Sequence, residues 1–253
     1  MRGGCGAFGG GYGGGGGMGV TLEVCVDSAA GLAAAVAGGA DRIELCAALT
    51  VGGLTPSAGL MAAAGRAGVP VMAMIRPRAG DFVWSEAEVG MMEVEIAGAR
   101  DAGLAGVVLG ASLDDGRLDV SVLQSLVAAA GGMDLTLHRC FDLVPDMGEA
   151  LEEAIVLGFR RVLTSGGEVT VTQGAGRIAT LVAQSAGRIS IMPGSGVNLG
   201  TVARLKDLHV REVHASCLVP AEGPARLAAF GFAPPEMRQT SVAAVRALKA
   251  ALS

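Results

Sequence analysis

Two short stretches of the 253-residue chain pose the chemical question: "LEVCVD" at residues 22–27 and a partial echo, "RIELC", at 42–46. If both are strands, alternation puts Glu23, Cys25 and Asp27 on one face of the first and Glu44 and Cys46 on one face of the second. A buried carboxylate without a partner costs several kcal/mol, so these glutamates must meet arginines, a ligand or a metal. Thiolate and thioether donors favour Cu(I) or Zn over hard cations. Neighbouring strands lie about 4.8 Å apart, which lets Cys25 and Cys46 approach one ion. A structural zinc site would want four ligands at short spacing, and the sequence has no such cluster.

Further polar groups end other apolar runs: Arg76 and Arg78, then His138, Arg139 and Asp142, then Thr164 and Ser165, then Glu212, His214 and Ser216. These residue types permit acid–base work on a small anionic metabolite. Arg76 would bind the anion, Glu44 or Asp142 would act as general base, and His138 or His214 as acid. Each has a plainer reading alone. A strand cysteine is most often a small hydrophobe, Glu23 or Glu44 beside Arg76 is an ion pair, and a single histidine is a hydrogen-bonded core group. An oligomeric scaffold whose polar residues form only a structural network is the third alternative. Their joint placement at the ends of several strands is what the plain readings leave over.

The elements that must hold these groups repeat one unit, an aliphatic or β-branched run followed by an Ala/Leu-rich helical stretch ending in glycine. Strands are expected at 21–26, 42–46, 69–75, 105–111, 135–141, 161–166, 189–194 and 212–216. Strict alternation of strand and helix means parallel strands joined by crossovers. Eight units over about 250 residues close as a (β/α)8 barrel. An open doubly wound sheet would carry GxGxxG after its first strand, and "VCVDSAAG" lacks it. No organic cofactor is expected. The domain spans 20–253, preceded by a glycine-rich tail at 1–19, with glycine at 12 of 19 positions, expected to be flexible. In such a barrel the C-terminal ends of the strands form the functional face. The glycines of "MPGSGV", Gly194 and Gly196, with Ser165 and Gly166, sit where many barrels hold a phosphate on backbone N–H groups.

Composition narrows the partners. With 3% aromatics the core must be aliphatic, and a net charge of −5 without a basic patch excludes nucleic acid. The charge-free run at 45–65 is interrupted by Gly52-Gly53 and Thr55-Pro56-Ser57, so no membrane span is expected. The N-terminus lacks the apolar stretch of a secretory signal. Five cysteines without CxxC pairing fit a reducing cytoplasm.

In order along residues 22–217, "LEVCVDS", "GGADRIELC", "GGLTPS", "MIRPRAGDF", "HRCFD", "LGFRRVLTSGG", "IMPGSGV" and "EVHAS" resemble the copper homeostasis protein CutC family. The resemblance implies a TIM-barrel fold, a cytoplasmic location and a role in copper tolerance or trafficking, with Cys25 and Cys46 as Cu(I) ligands. It also implies an enzyme-like mouth at Glu44, Arg76, His138, Asp142 and His214. The chain departs from the pattern at Cys140, where the family has Ala, and at Cys217-Leu218, where Ala and Arg are usual. The expected function is thus a Cu(I)-binding barrel with the copper ion as partner, assembled as a homo-oligomer. The alternative is a lyase- or isomerase-like barrel enzyme acting on a small anionic or phosphorylated metabolite.

Overall fold

Polar caps start most of the helices. Ser28, Ser57, Asp119, Asp146 and Ser241 each accept a backbone N–H of the helix that follows, and Ser85 forms a reciprocal capping box with Glu88. Glycines in the left-handed conformation close several of them, as Gly39 and Gly158 do with φ of 91° and 88°. The structure is a computed structural model and describes residues 19–253 apart from 224 and 235. The glycine-rich tail, Gly19 aside, lies outside the described residues.

The elements run β1 (Thr21–Val26), α1 (Ala29–Gly38), β2 (Arg42–Leu45), α2 (Ala58–Ala64), β3 (Val71–Met74), α3 (Glu86–Asp101), β4 (Gly106–Leu109) and α4 (Val120–Ala130). They continue with β5 (Asp134–Leu137), α5 (Met147–Leu157), β6 (Arg161–Thr164), α6 (Ala175–Ser185), β7 (Ser190–Pro193), α7 (Val202–Lys206) and β8 (Glu212–Ala215). A hairpin of β9 (Leu218–Pro220) and β10 (Arg238–Thr240) encloses α8 (Ala225–Ala229), and α9 (Val242–Leu252) ends the chain and packs on α1. All eight expected strands are present, each shorter than expected except the first, and the fifth begins one residue earlier, at Asp134. The hairpin is an addition that the alternation did not announce.

The eight strands are parallel and ordered β7-β6-β5-β4-β3-β2-β1-β8. β7 and β8 lie side by side and complete the ring without a hydrogen-bonded ladder between them. This is the TIM barrel that the alternation predicts. Period-two alternation divides every strand between two environments. Outward residues such as Leu22, Val24, Ile43, Leu45, Val107 and Leu137 are fully buried against the helices in one continuous aliphatic core. Each such side chain contributes about 1.5–3 kcal/mol.

The inward face is different. A line of alternating charges runs through it from the floor. Asp134 accepts from Arg161 at 2.9 Å, Arg161 reaches Glu212 at 3.1 Å, and Glu212 pairs with Arg42 at 2.5 Å. Arg42 also pairs with Glu23, which holds His214 Nδ1 at 2.8 Å. Beside it sits a small apolar cluster of Cys46, Met72, Met74 and Val108. The expected partner of Glu23 was Arg76; the register instead sets Glu23 opposite Arg42 and His214.

Candidate metal centre at the barrel mouth

The inward residues nearest the C-terminal rim of β1, β2 and β8 come to one point. Cys25 stands opposite Glu44 in the β1–β2 ladder, and His214 stands opposite Glu23 across β1–β8. One ligand atom from each of Cys25, Glu44 and His214 lies within 4.8 Å of the other two. The histidine is oriented from behind. Nδ1–H donates to Glu23 Oε1, leaving Nε2 turned toward Glu44 Oε2, 3.8 Å away. This carboxylate–imidazole arrangement is the one that fixes the tautomer and direction of metal-binding histidines.

Electrostatics follow from burial. Burial pushes the Glu23 carboxyl up, but Arg42 and His214 together outweigh it and hold it at about 2. Burial raises Glu44, and His214 offsets this only in part. Burial alone would lower His214, yet Glu44 and Cys25 outweigh it and raise it. Cys46, the second cysteine of the expected pair, is fully buried and stands outside the trio. Its thiol donates to Glu44 Oε2 at 3.5 Å, and burial followed by the Glu44 charge drives its pKa up. Cys46 therefore touches the centre through Glu44.

The trio opens into a cavity of about 730 Å³ that also takes in Arg76, His138, Asp142 and the β7 loop at Ser195–Asn198. His138 is held by its neighbours. Its Nδ1 accepts from Cys140 N at 3.2 Å, and burial, then the Arg76 charge, keep its pKa down at about 3. Gly110 makes room for it. A Cβ there would lie 2.4 Å from both His138 Cε1 and Cys140 Sγ. Cys140 itself is a buried thiol pushed up to about 12 by burial and by Asp142, and it packs in the aliphatic core. Arg76 spends its Nη groups on the carbonyls of Val51 at 2.8 Å, Gly53 at 3.1 Å and Gly80 at 3.0 Å, and lies over the Phe82 ring. Arg78 stacks on Trp84 and pairs with Asp81 and Glu88.

Asp142 has a different occupation from the expected one. Its carboxylate accepts from Thr164 Oγ1, from Ser165 N and Oγ, from Gly167 N and from Arg139 Nε, all within 3.1 Å. Gly166 N donates to Thr164 Oγ1 at 2.9 Å. The donors at Ser165 and Gly166 that the sequence suggests for a phosphate thus serve the protein's own groups, with Asp142 as the resident anion. At the other half of that expected site, Gly194 N is committed to Thr164 O at 2.9 Å, and α7 behind it is only 5 residues long. Gly194 matters for space instead, since a Cβ there would strike Leu163 at 2.6 Å and crowd His214. Asp27 lies on the rim, exposed, and caps the turn at Leu49.

Among the described residues no helix is long and apolar enough to cross a membrane. Comparison with known proteins gives a consistent picture. A model of the CutC family matches residues 20–219. The family protein CutC of Sinorhizobium medicae is 58% identical over 236 residues, covering 92% of this chain and 96% of its own length. That of Agrobacterium fabrum is 55% identical over 235 residues, with 92% and 94% covered. A crystal structure of the CutC protein of Streptococcus agalactiae superposes with a TM-score of 0.75 at 30% identity, covering 78% of this chain and 98% of that one.

Proposed function

Because the chain belongs to the CutC family, we propose that it acts in copper homeostasis by binding Cu(I) at the rim of β1, β2 and β8. The observation that carries this reading is the convergence of Cys25, Glu44 and His214 within 4.8 Å. Thiolate and imidazole are donors that suit copper, and the carboxylate closes the third side. Glu23 and, behind it, Arg42 orient the imidazole, so the charge line of the barrel interior ends in a metal ligand. Cys46 supports the centre through its hydrogen bond to Glu44. The protein works in the cytosol on this reading, in keeping with Cys25, Cys46, Cys140 and Cys217 being free thiols.

Titration of the reduced protein with Cu(I) against a chromophoric competitor tests it. Cys25→Ser removes the soft anchor and should lose most of the affinity, whereas Glu23→Gln, which reaches the trio only through the histidine, should weaken it by roughly 10–100-fold. Cys46→Ser separates this centre from a two-thiol one, because a loss equal to that of Cys25→Ser moves the ligand role onto the pair. Unchanged affinity in Cys25→Ser and in His214→Gln would end the proposal, and tighter binding of Zn(II) than of Cu(I) would reassign the metal.

A further inference from the structure

The cavity in front of the metal trio is lined by residues that carry buried polar atoms nothing in the chain uses. Among the described residues, the buried side-chain atoms without a hydrogen-bond partner are Glu44 Oε1, Arg76 Nε, Ser112 Oγ and His138 Nε2. Three of these four residues line the one cavity. A buried group left unpaired costs about 1–3 kcal/mol, more if charged, so a cluster of them marks a place where something else is bound. Glu44 belongs to the metal trio. Arg76 and His138 do not.

We propose that Arg76 Nε–H and His138 Nε2–H together hold the carboxylate of a small organic acid, at a site beside the metal trio and independent of it. Both groups are donors of fixed direction. His138 Nδ1 accepts from Cys140 N, which puts the ring proton on Nε2, and Gly110 moulds the ring's position. The ring stays neutral at ordinary pH, so it offers a hydrogen bond without a charge. Arg76 gives three of its four Nη hydrogens to backbone carbonyls, and Nε is its one nitrogen without a partner. One aromatic ring lies against both: Phe82 is 4.8 Å from the His138 ring and 5.0 Å from Arg76 Cζ.

The pattern suits a planar, two-oxygen group better than a phosphate. A phosphate wants a cradle of backbone N–H groups, and those at residues 165–167 are taken by Asp142 and Thr164. Two separate donors, one of them cationic, match the two oxygens of a carboxylate. Apolar side chains of Val51, Leu143, Leu163 and Leu218 line the same cavity and would cover a short aliphatic or aromatic tail.

The test uses the full chain freed of metal by a chelator, with 3-methylbutanoate, benzoate and inorganic phosphate as probes at constant ionic strength. With three histidines in the chain, long-range proton–nitrogen spectra isolate the His138 ring. Both carboxylates should shift its Nε2 signal saturably and phosphate should not. His138→Asn keeps an acceptor for Cys140 N and removes the distal donor, so it should weaken binding about ten-fold or more, the value of one hydrogen bond to a charged group. His138→Gln puts a donor back near the Nε2 position and should recover part of the loss. Should either variant fail to fold, the wild-type spectra decide alone. An unmoved His138 signal, phosphate binding as well as the carboxylates, or full affinity in a folded His138→Asn protein overturns the proposal. Because no copper is present, failure here leaves the metal centre standing, and the reverse also holds.

Discussion

The same eight strands bury two unlike faces. Outward, Leu22, Val24, Ile43 and Leu45 meet the helices in a continuous aliphatic layer. Inward, one residue away along each strand, Asp134, Arg161, Glu212, Arg42 and Glu23 form a line of ion pairs that ends on His214. Both faces are removed from water, so burial alone does not distinguish them. The outer layer gains from every methylene and has no direction. The inner line gains little net stability, because desolvation consumes most of what the charges return. What it supplies is orientation, since each charge fixes the next until the last one fixes an imidazole at the mouth.

The largest expected effect breaks the inner face. Arg42→Met leaves Glu23 and Glu212 buried without their shared cation and should cost about 3–5 kcal/mol in chemical denaturation. Adding Glu23→Gln and Glu212→Gln should return part of that loss. Leu45→Ala in the outer layer, at about 2–5 kcal/mol, should find no such rescue from changing its neighbours' polarity.

Gly110→Ala tests the mouth, where the two faces meet. Its methyl would overlap His138 and Cys140, and relief of that overpacking should cost about 1–3 kcal/mol and displace the imidazole.

Acid should separate the faces further. His138 is held at about 3, below the ordinary histidine value, so between those values the unfolded chain carries a proton that the folded one lacks. Stability contributed this way is intact above pH about 6.5 and falls as pH drops. By about pH 5.5 this contribution should have fallen by about 1.4 kcal/mol, read as the change in the stability difference between the wild type and His138→Asn, because His214, raised in the fold, acts with the opposite sign in the same window. Glu23 enters lower down: held at about 2, it stabilises the fold above the ordinary carboxylate value and loses that contribution as pH falls toward 2. The smallest effect belongs outside both faces. Glu152 and Arg188 pair at 2.6 Å on the surface, and Glu152→Gln should leave the denaturation midpoint unchanged within error.

Much of this could be seen in the chain itself. The alternating units place all eight strands and the ring, and period two places Glu23, Cys25, Glu44 and His214 on the inner face. The charge line was harder to see for a physical reason. Asp134, Arg161 and Glu212 are the first residues of their strands, where polar groups read as loop edges, and their partners are 27 and 51 positions away. Arg42 carried a usable signal, since it lies two residues before Glu44 and so shares its face. The i,i+3 spacing of Arg139 and Asp142 announces a local ion pair. The capture of the 165–167 amides by Asp142 depends on how β6 and the turn after β5 approach, which spacing alone does not encode.

The seam between β7 and β8 has a consequence for how the chain could be rewired. Hydrogen bonds already order the sheet as 8-1-2-3-4-5-6-7. A circular permutant that opens ahead of β8 and joins the present ends by a linker would therefore have strands whose order in sequence equals their order in space. Every ladder of the barrel would then join successive barrel strands, and the new termini would flank the one junction of the ring that carries no ladder.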